Sequence, residues 1–333
     1  MYVRTIRRSG ARQQEIGGVY MSVLVTGASG YIGQALTARL QQQALAPVLV
    51  SRRGGAARGG PAMHAVDFAT GNLDESLLQG VSTVYHLAGI AHTQAPDAQY
   101  AAVNCRATLA LADAAERAGV HHFIFVSSVK AMGPPATAMP RRETEVSAPA
   151  DAYGRSKWEA ECALRERFHR NAMTVTILRP ALVYGPEPKG NLKWLLRAAR
   201  FGVPAPPEGG ARSMIGLDDL VELLLLLPGT GLSGVNTFNV ADGRAYSTRE
   251  TYQLLRAALG KQGPGVASPA WLWRVLASLL DLVQRQAPGS SFDKLFGAER
   301  YDNHALLQAT GWVPRDTLAT VAPAMACAGE GPR

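Results

Sequence analysis

Short apolar runs alternate with amphipathic segments through the first half of the chain. Six apolar runs predict strands, at 22–26, 47–51, 64–68, 82–89, 122–128 and 174–180. Three longer segments with apolar residues at helical spacing predict helices, at 31–43, 98–118 and 152–170. Strands separated by helices are typical of a parallel sheet that is covered on both faces. We therefore expect an α/β fold with a doubly wound, Rossmann-type sheet.

The pattern changes after Pro180. Proline and glycine crowd 185–190 and 202–210. Helices then dominate the prediction, at 191–201, 217–227, 247–259 and 268–285, with one strand near 235–240. The domain prediction is a disordered extension at 1–20, a dinucleotide-binding domain at 21–180, a mainly helical substrate lobe at 181–320 that partly interleaves with it, and a tail at 321–333. Such a lobe would cover the carboxyl ends of the strands, where α/β sheets bind ligands.

Composition narrows the class of protein. The 333 residues include 47% apolar residues, enough for a sizeable core, but no apolar run reaches the ~18 residues of a membrane span. The net charge of +8 suits an anionic small-molecule substrate, and no dense basic face with interleaved aromatic residues indicates nucleic acid. Cys105, Cys162 and Cys327 lie far apart without metal-ligand spacing, so we expect no metal site and a reducing, cytoplasmic location.

Three glycines mark the first candidate site. Gly27, Gly30 and Gly33 directly follow the apolar run VLVT and open a predicted helix. A dinucleotide pyrophosphate must approach backbone N–H groups at such a helix N-terminus, and side chains in the turn would obstruct it. The loop therefore predicts dinucleotide binding.

The motifs TGASGYIG, YHLAG, FVSSVKAMG, YGRSK and LRPALVYGP occur in that order along the chain. Together they resemble the extended branch of the short-chain dehydrogenase/reductase superfamily, the NAD-dependent epimerases and dehydratases, from about residue 21 to 313. The resemblance implies cofactor contacts at Gly27, Ser29, Gly30, Tyr31, Ile32, Gly33, Asp67, Phe68, Leu87, Ala88, Gly89, Tyr153, Lys157, Pro180 and Val183.

The second strand ends in Ser51, Arg52 and Arg53, where an NAD-preferring site usually has an acidic residue for the ribose 2′-hydroxyl. Arg52 or Arg53 suits a 2′-phosphate instead. The sequence favours NADP(H) as the cofactor, with Arg52 among its contacts and NAD(H) as the alternative.

Tyr153 and Lys157 are four residues apart in a predicted helix and project from one face. A free phenol has a pKa of about 10, and a nearby ammonium is expected to lower it. Ser128 ends a strand and is placed to hydrogen-bond the same substrate oxygen. The resemblance implies that these three residues are catalytic, with Tyr153 as the acid–base group. His86, His121 and His122 are the alternatives for acid–base work.

The later motifs indicate the substrate. PKGNL and GGARSMIG place Asn191 and Arg212 where related sugar-nucleotide enzymes contact the diphosphate, and a guanidinium suits that role. Lys130 lies close to Ser128 and is a candidate sugar contact with Ser128 and Tyr153. The resemblance extends to UDP-N-acetylhexosamine 4-epimerases and UDP-4-keto-6-deoxy-N-acetylhexosamine reductases of surface-polysaccharide synthesis.

Three functions remain open on the sequence. The Arg52–Arg53 pair favours a 4-ketoreductase that exchanges NADPH at every turnover. A UDP-sugar 4-epimerase with retained NAD is the close alternative, and a non-catalytic NADP-sensing protein on the same fold is the third. The resemblance also implies a homodimer through helices 98–118 and 152–170.

Overall fold

The computed structural model describes residues 5–8, 11–16, 19–20, 22–56, 60–70, 74–91, 95–263, 268–284, 292 and 296–328. Within these ranges the strands are β1 (Thr5–Arg8), β2 (Ala11–Ile16), β3 (Val19–Tyr20), β4 (Val23–Thr26), β5 (Val48–Ser51), β6 (Gly55–Ala56), β7 (Ala62–Ala65), β8 (Thr83–His86), β9 (His122–Val126), β10 (Thr174–Pro180), β11 (Leu182–Tyr184), β12 (Ala211–Gly216), β13 (Val235–Val240), β14 (Ala245–Tyr246) and β15 (Ala298–Glu299). The α-helices are α1 (Tyr31–Gln42), α2 (Asp97–Tyr100), α3 (Ala107–Arg117), α4 (Ala152–Phe168), α5 (Gly190–Phe201), α6 (Leu217–Leu226), α7 (Thr248–Ala258), α8 (Ala270–Gln284), α9 (His304–Thr310) and α10 (Leu318–Cys327). A π-helical stretch, Ala101–Arg106, joins α2 to α3.

The main sheet has the strand order β13-β10-β9-β8-β4-β5-β7-β6 and is parallel except for the β6–β7 pair. Successive residues of its central strands face opposite cores, as the two-residue repeat of a strand requires. Val25 packs with α1 and α6 on one face, whereas Leu24 packs with α3 and α4 on the other. This arrangement confirms the predicted doubly wound α/β fold.

The second half of the chain forms a smaller lobe around a second sheet. Its strand order is β11-β12-β14, and β15 pairs with β12. Helices α5, α7, α8 and α10 share a core with this sheet, represented by Leu195, Tyr252, Trp273 and Met325. The prediction of a mainly helical lobe missed this sheet, because strands of two to six residues between turns show little periodicity.

Strand β13 lies within the predicted lobe but belongs to the main sheet. It pairs in parallel with β10, from Val175 opposite Val235 to Pro180 opposite Val240. The chain therefore leaves the cofactor half after β10 and returns to it, so the two halves interleave. The third strand of the prediction, at 64–68, is found slightly earlier, as β7.

Strand β2 pairs antiparallel with both β1 and β3 in a separate small sheet near the start of the chain. No helix in the described ranges is both long enough and apolar enough to cross a membrane.

Candidate active site

The glycine loop joins β4 to α1 and packs against the end of β8. Gly27 has a φ of +67°, and a Cβ there would lie 2.7 Å from the backbone nitrogen of Ala88. The Gly30 nitrogen donates to the Gly27 carbonyl at 2.8 Å, and no side chain hydrogen-bonds at this N-cap of α1. A Cβ at Gly33 would also meet the Gly27 carbonyl. Bare backbone at a helix N-terminus fits a pyrophosphate, so the loop suits the predicted dinucleotide.

Two buried histidines, one at the end of β8 and one at the start of β9, are neutral. His86 is fully buried, with Nδ1 2.8 Å from Thr26 Oγ1 and Nε2 2.9 Å from Thr108 Oγ1. Burial lowers the pKa of His86 to about 3. Burial likewise lowers the pKa of His122 to about 4, and its Nε2 lies 2.8 Å from Thr176 Oγ1. Both rings are therefore neutral at pH 7, and their contacts are structural rather than suited to acid–base work.

The turn after β9 begins with Ser128. It packs directly against the start of α4, which carries Tyr153. Ser128 Oγ accepts the Lys130 backbone N–H at 3.2 Å and caps the 3-10 turn Val129–Met132. A Cβ at Gly154 would lie 2.6 Å from the Lys130 carbonyl oxygen, so glycine allows this close approach. The Ser128 side chain lies close enough to the Tyr153 hydroxyl to lower its pKa. We call Ser128–Met132 the catalytic turn, because it begins with the serine that is predicted to be catalytic.

Lys157 lies one helical turn beyond Tyr153 and is 4% exposed. Its Nζ donates to the Val126 carbonyl at 3.0 Å and lies 4.5 Å from the centre of the Phe125 ring. Burial lowers the pKa of Lys157 to about 8, and the negative charge of Glu161 opposes that shift. The ammonium is thus held in a site where it loses its proton more easily than in water.

The pKa of Tyr153 differs from the expectation that a lysine neighbour lowers it. Burial raises this pKa to about 12, and the Ser128 side chain only partly offsets the rise. Desolvation of the phenolate is the main cause, and Asp151 and Tyr100 add to the rise, whereas the Lys157 ammonium is bound to the Val126 carbonyl. In the chain alone, Tyr153 is therefore a protonated phenol at neutral pH.

Asn104 joins the segment after β8 to helix α4, and it was not predicted from the sequence. It is fully buried in the π-helical stretch, where Oδ1 accepts the Ile90 N–H at 2.8 Å and Nδ2 donates to Ser156 Oγ at 3.0 Å. A Cβ at Gly89 would lie 3.0 Å from Asn104 Oδ1 and 3.3 Å from Lys157 Nζ. The available sequence signal was an asparagine among the alanines of the predicted helix, because a buried amide must be paired.

A buried ionic network lies beneath Lys157. Glu161 is fully buried, and its carboxylate accepts Ser127 Oγ at 2.6 Å, the Arg179 guanidinium at 2.6–3.1 Å and Arg165 at 2.6 Å. Arg179 is 1% exposed and also donates to the Glu143 carbonyl. This network fixes a negative charge one turn from Lys157 and ties α4 to β9 and β10.

The substrate candidates lie on the lobe side of the catalytic turn. Lys130 Nζ lies 2.8 Å from Glu299 Oε1, and Arg212 NH1 lies 2.9 Å from Glu299 Oε2. The structure thus brings Lys130 and Arg212 together through a carboxylate that the sequence analysis did not single out. Asn191 is half-buried in the first turn of α5.

The adenine end of the expected cofactor site is open. Arg52 and Arg53 are exposed just beyond β5, and Asp67 is exposed with its Oδ1 accepting the Ala69 N–H at 2.9 Å. Phe68 packs edge-on against His86 with ring centres 5.7 Å apart.

The remaining cofactor candidates lie at or just before the start of α1, just after β8, or within β10 and β11. Ser29 is exposed, Pro180 is buried, and the partly buried ones are Tyr31, Ile32, Leu87 and Val183. The Tyr31 hydroxyl donates to the Pro186 carbonyl at 2.7 Å, which ties the start of α1 to the loop before α5.

Comparison with known proteins shows the family to which the chain belongs. The model of the NAD dependent epimerase/dehydratase family matches residues 23–241. The chain belongs to this family.

Two relatives and one structure show how far the likeness extends along the chain. A UDP-glucose 4-epimerase of Vibrio cholerae is 30% identical over 307 residues, covering 89% of this chain and 92% of the relative. An N-acetyl-alpha-D-glucosaminyl-diphospho-ditrans,octacis-undecaprenol 4-epimerase of Escherichia coli O157:H7 is 26% identical, covering 74% and 77%. The structure of MoeE5 in complex with UDP-glucose and NAD superposes with a TM-score of 0.72 at 24% identity, covering 93% and 98%.

Membership of the epimerase/dehydratase family confirms the resemblance drawn from the motifs and makes the protein an NAD(P)-dependent enzyme of the extended short-chain type. Solved structures of the same fold contain NAD or, as in the Pseudomonas aeruginosa protein RMD, NADPH. The preference between the two cofactors stays a prediction.

Proposed function

We propose that the protein is a UDP-sugar 4-epimerase that uses tightly held NAD. The observation that carries this proposal is the 30% identity to the UDP-glucose 4-epimerase of Vibrio cholerae, which spans nearly the full length of both chains. The likeness therefore includes the lobe that would select the substrate, and not only the cofactor sheet. This favours the epimerase that the sequence analysis kept as its alternative.

The proposed acid–base group is Tyr153. Its hydroxyl lies near the Ser128 side chain, which lowers the pKa of the phenol, so both groups would contact one oxygen, the 4-hydroxyl of the sugar. Bound NAD would supply the acceptor and donor of the C4 hydride, and its oxidised ring would add a positive charge near the phenol.

That added charge matters because burial otherwise keeps Tyr153 protonated. Lys157, one turn away, holds its ammonium where it would contact the nicotinamide ribose and add to the same positive potential. Tyr153 would take the proton of the 4-hydroxyl while C4 is oxidised and give it back when C4 is reduced.

The proposed diphosphate contacts are Arg212 and Asn191, with Lys130 nearer the sugar. Arg212 is 14% exposed at the side chain, so its interaction with a diphosphate would be only weakly screened by water. The relative from Escherichia coli is named for an N-acetylglucosaminyl lipid diphosphate, which supports a role in building precursors of surface polysaccharides.

A second candidate is the 4-ketoreductase that the sequence analysis favoured. The specific observation for it is the exposed Arg52–Arg53 pair just beyond β5, at the position that would meet the 2′-phosphate of NADPH. A reductase would release its oxidised cofactor after each turnover, whereas an epimerase would retain it.

The test separates these two reactions. The purified protein is incubated with UDP-glucose, with UDP-N-acetylglucosamine, and with a UDP-4-keto-6-deoxy-N-acetylhexosamine plus NADPH. We expect C4 epimers of the first or second sugar to form with no net change in nicotinamide absorbance at 340 nm. A stoichiometric fall in absorbance with the keto sugar alone would establish the reductase instead, and no reaction with any of the three would refute both.

A further inference from the structure

Three charged side chains from distant parts of the sequence meet on the lobe side of the catalytic turn. Lys130 belongs to the turn, Arg212 to β12 and Glu299 to β15, and each carboxylate oxygen of Glu299 contacts one of the two cations. The side chains of Arg212 and Glu299 are 14% and 18% exposed, whereas that of Lys130 is 40% exposed. We call these three residues the charged clasp.

The backbone around Glu299 is fixed on two sides. Arg212 and Glu299 are paired residues of the parallel β12–β15 ladder, and the next residues continue the attachment. The Tyr301 N–H donates to Ser213 Oγ at 3.0 Å, and the Arg141 N–H donates to the Arg300 carbonyl at 3.0 Å. Glu299 is therefore held at one place rather than carried on a loose loop.

Glu299 is ionised in this position. Burial alone would raise the pKa of its carboxyl, but Arg212 and Lys130 together hold the pKa below its usual value. Two cations share one carboxylate, so the clasp as a whole carries one positive charge. An anionic group that approaches Lys130 must stand beside the carboxylate that already contacts the ammonium.

Lys130 also marks the sugar end of the proposed substrate site. Its N–H donates to Ser128 Oγ at 3.2 Å, and its carbonyl packs against Gly154, the neighbour of Tyr153. If Tyr153 acts at C4 of a hexose, the ring groups next to the reacting carbon are the hydroxyl on C3 and the substituent on C5. That substituent is a hydroxymethyl group in a neutral hexose and a carboxylate in a uronic acid.

We propose that Glu299 determines substrate specificity by selecting UDP-sugars without a carboxylate on the sugar ring. Glu299 holds Arg212 in place for the diphosphate and occupies Lys130, so a uronate carboxylate finds a like charge instead of an unshielded cation. This inference rests on the proposed nucleotide-sugar function and deepens it, because it names the sugar class that the same site accepts.

The test compares binding of UDP, UDP-glucose and UDP-glucuronate to the NAD-loaded full chain by titration calorimetry. We expect the protein to bind UDP-glucose at least about tenfold more tightly than UDP-glucuronate, since like charges brought side by side disfavour binding by at least that factor. In Glu299→Gln, which keeps a hydrogen-bonding side chain of the same size, this ratio should fall by about tenfold, mainly because UDP-glucuronate binds more tightly.

Two further variants show whether Lys130 is the cation that Glu299 shields. Adding Lys130→Met to Glu299→Gln should remove the gain for UDP-glucuronate. Lys130→Met alone should discriminate against the uronate at least as strongly as the unaltered protein, because Glu299 keeps its charge. Glu222→Gln is the matched control, since this carboxylate lies on α6 and pairs with Arg39 instead; its ratio should not change.

The outcomes separate this inference from the function on which it rests. An unchanged ratio in Glu299→Gln overturns the role of Glu299, as does equal binding of the two sugars by the unaltered protein. If the Gln variant does not fold, as judged by its thermal transition, a loss of discrimination in Lys130→Met alone overturns the role just as well. Failure of UDP and of both sugars to bind would contradict the proposed function itself.

Discussion

The cofactor side and the substrate side of the candidate site are built in different ways. On the cofactor side, backbone atoms approach one another so closely that glycine is required, and buried neutral groups such as His86 and Asn104 hold the strand ends. On the substrate side, the charged clasp of Lys130, Arg212 and Glu299 holds the lobe against the catalytic turn. The cofactor side suits a ligand that does not vary. The shape and charge of the substrate side depend on side chains that single substitutions can change.

The difference shows where specificity can vary in this fold. The backbone that lines the cofactor side changes shape only when the main chain moves. Substitutions there should therefore weaken cofactor binding strongly. A cluster of side-chain charges can be tuned by one residue at a time and still leave the fold intact. We therefore expect changes on the two sides to separate cofactor affinity from sugar affinity.

The largest effect is expected at Tyr153, which both sides share. Tyr153→Phe should lower turnover by at least about 10²- to 10⁴-fold, because the acid–base hydroxyl is lost. Binding of NAD and UDP-glucose should be nearly unchanged in calorimetry, since the ring and its packing remain. Near-normal turnover in this variant would rule out the assigned role.

The next largest effect is expected for a substitution that impairs NAD binding alone. Gly27→Val places a Cβ 2.7 Å from the Ala88 nitrogen in a residue with φ of +67°. The loop must move away from β8, so NAD affinity should fall by more than about tenfold, a cost above about 1.4 kcal/mol. UDP binding, followed in the same titration, should persist; its loss together with NAD would show that the two sides are not separate.

A substitution on the substrate side should impair binding of the nucleotide sugar alone. Arg212→Ala removes a charge-assisted contact of about 1.5–3 kcal/mol, so UDP and UDP-glucose should bind about 10- to 150-fold more weakly. The affinity for NAD should stay the same. An equal weakening of both ligands would remove the diphosphate assignment of Arg212.

A smaller effect concerns pH and the cofactor side. Burial lowers the pKa of Lys157 to about 8, so its ammonium is present below that pH and is lost as pH rises through it. NAD affinity should therefore decline above pH 8, by up to about tenfold between pH 8 and 9, because the loss of one proton changes an equilibrium by at most about tenfold per pH unit. In Lys157→Met the affinity should be lower and flat between pH 7 and 9; a decline that survived this substitution would point to another group.

The smallest effect is expected at the adenine end. Arg52 is exposed, and exposed ion pairs contribute only about 0.2–1 kcal/mol. Arg52→Ser should thus weaken NADPH binding by less than about fivefold and leave NADH binding unchanged. If NADPH binding is unaffected, as retained NAD would imply, Arg53→Ser provides the matched test of the neighbouring residue.

Much of the cofactor side was readable from the sequence because its residues follow strands in a fixed order. Each apolar run ends at the same edge of a parallel sheet, so Gly27, Leu87 and Ser128 come together whatever the loops between them do. The position of Ser128 at a strand end and the helix over 152–170 were also predicted from the sequence. Their assigned roles remain predictions that the variants above test.

The substrate side was harder to predict for a physical reason. Glu299 is 169 residues from Lys130 in the sequence and lies in a two-residue strand, which has no periodic signal. The pKa of Tyr153 was also expected to fall, whereas burial raises it, because desolvation depends on packing that composition does not reveal. Asn104 was hidden in the same way, by contacts with Ile90 and Ser156 that only the fold creates.

The return of β13 to the main sheet limits how this enzyme can acquire a new substrate. A gene fragment ending at Pro180 would lack the outermost partner of β10 and leave that strand as an open, aggregation-prone border. Recombination of whole modules is therefore a poor route to a new specificity in this architecture. Gradual replacement of individual residues in 182–216 and 298–303 is the route that leaves the scaffold continuous.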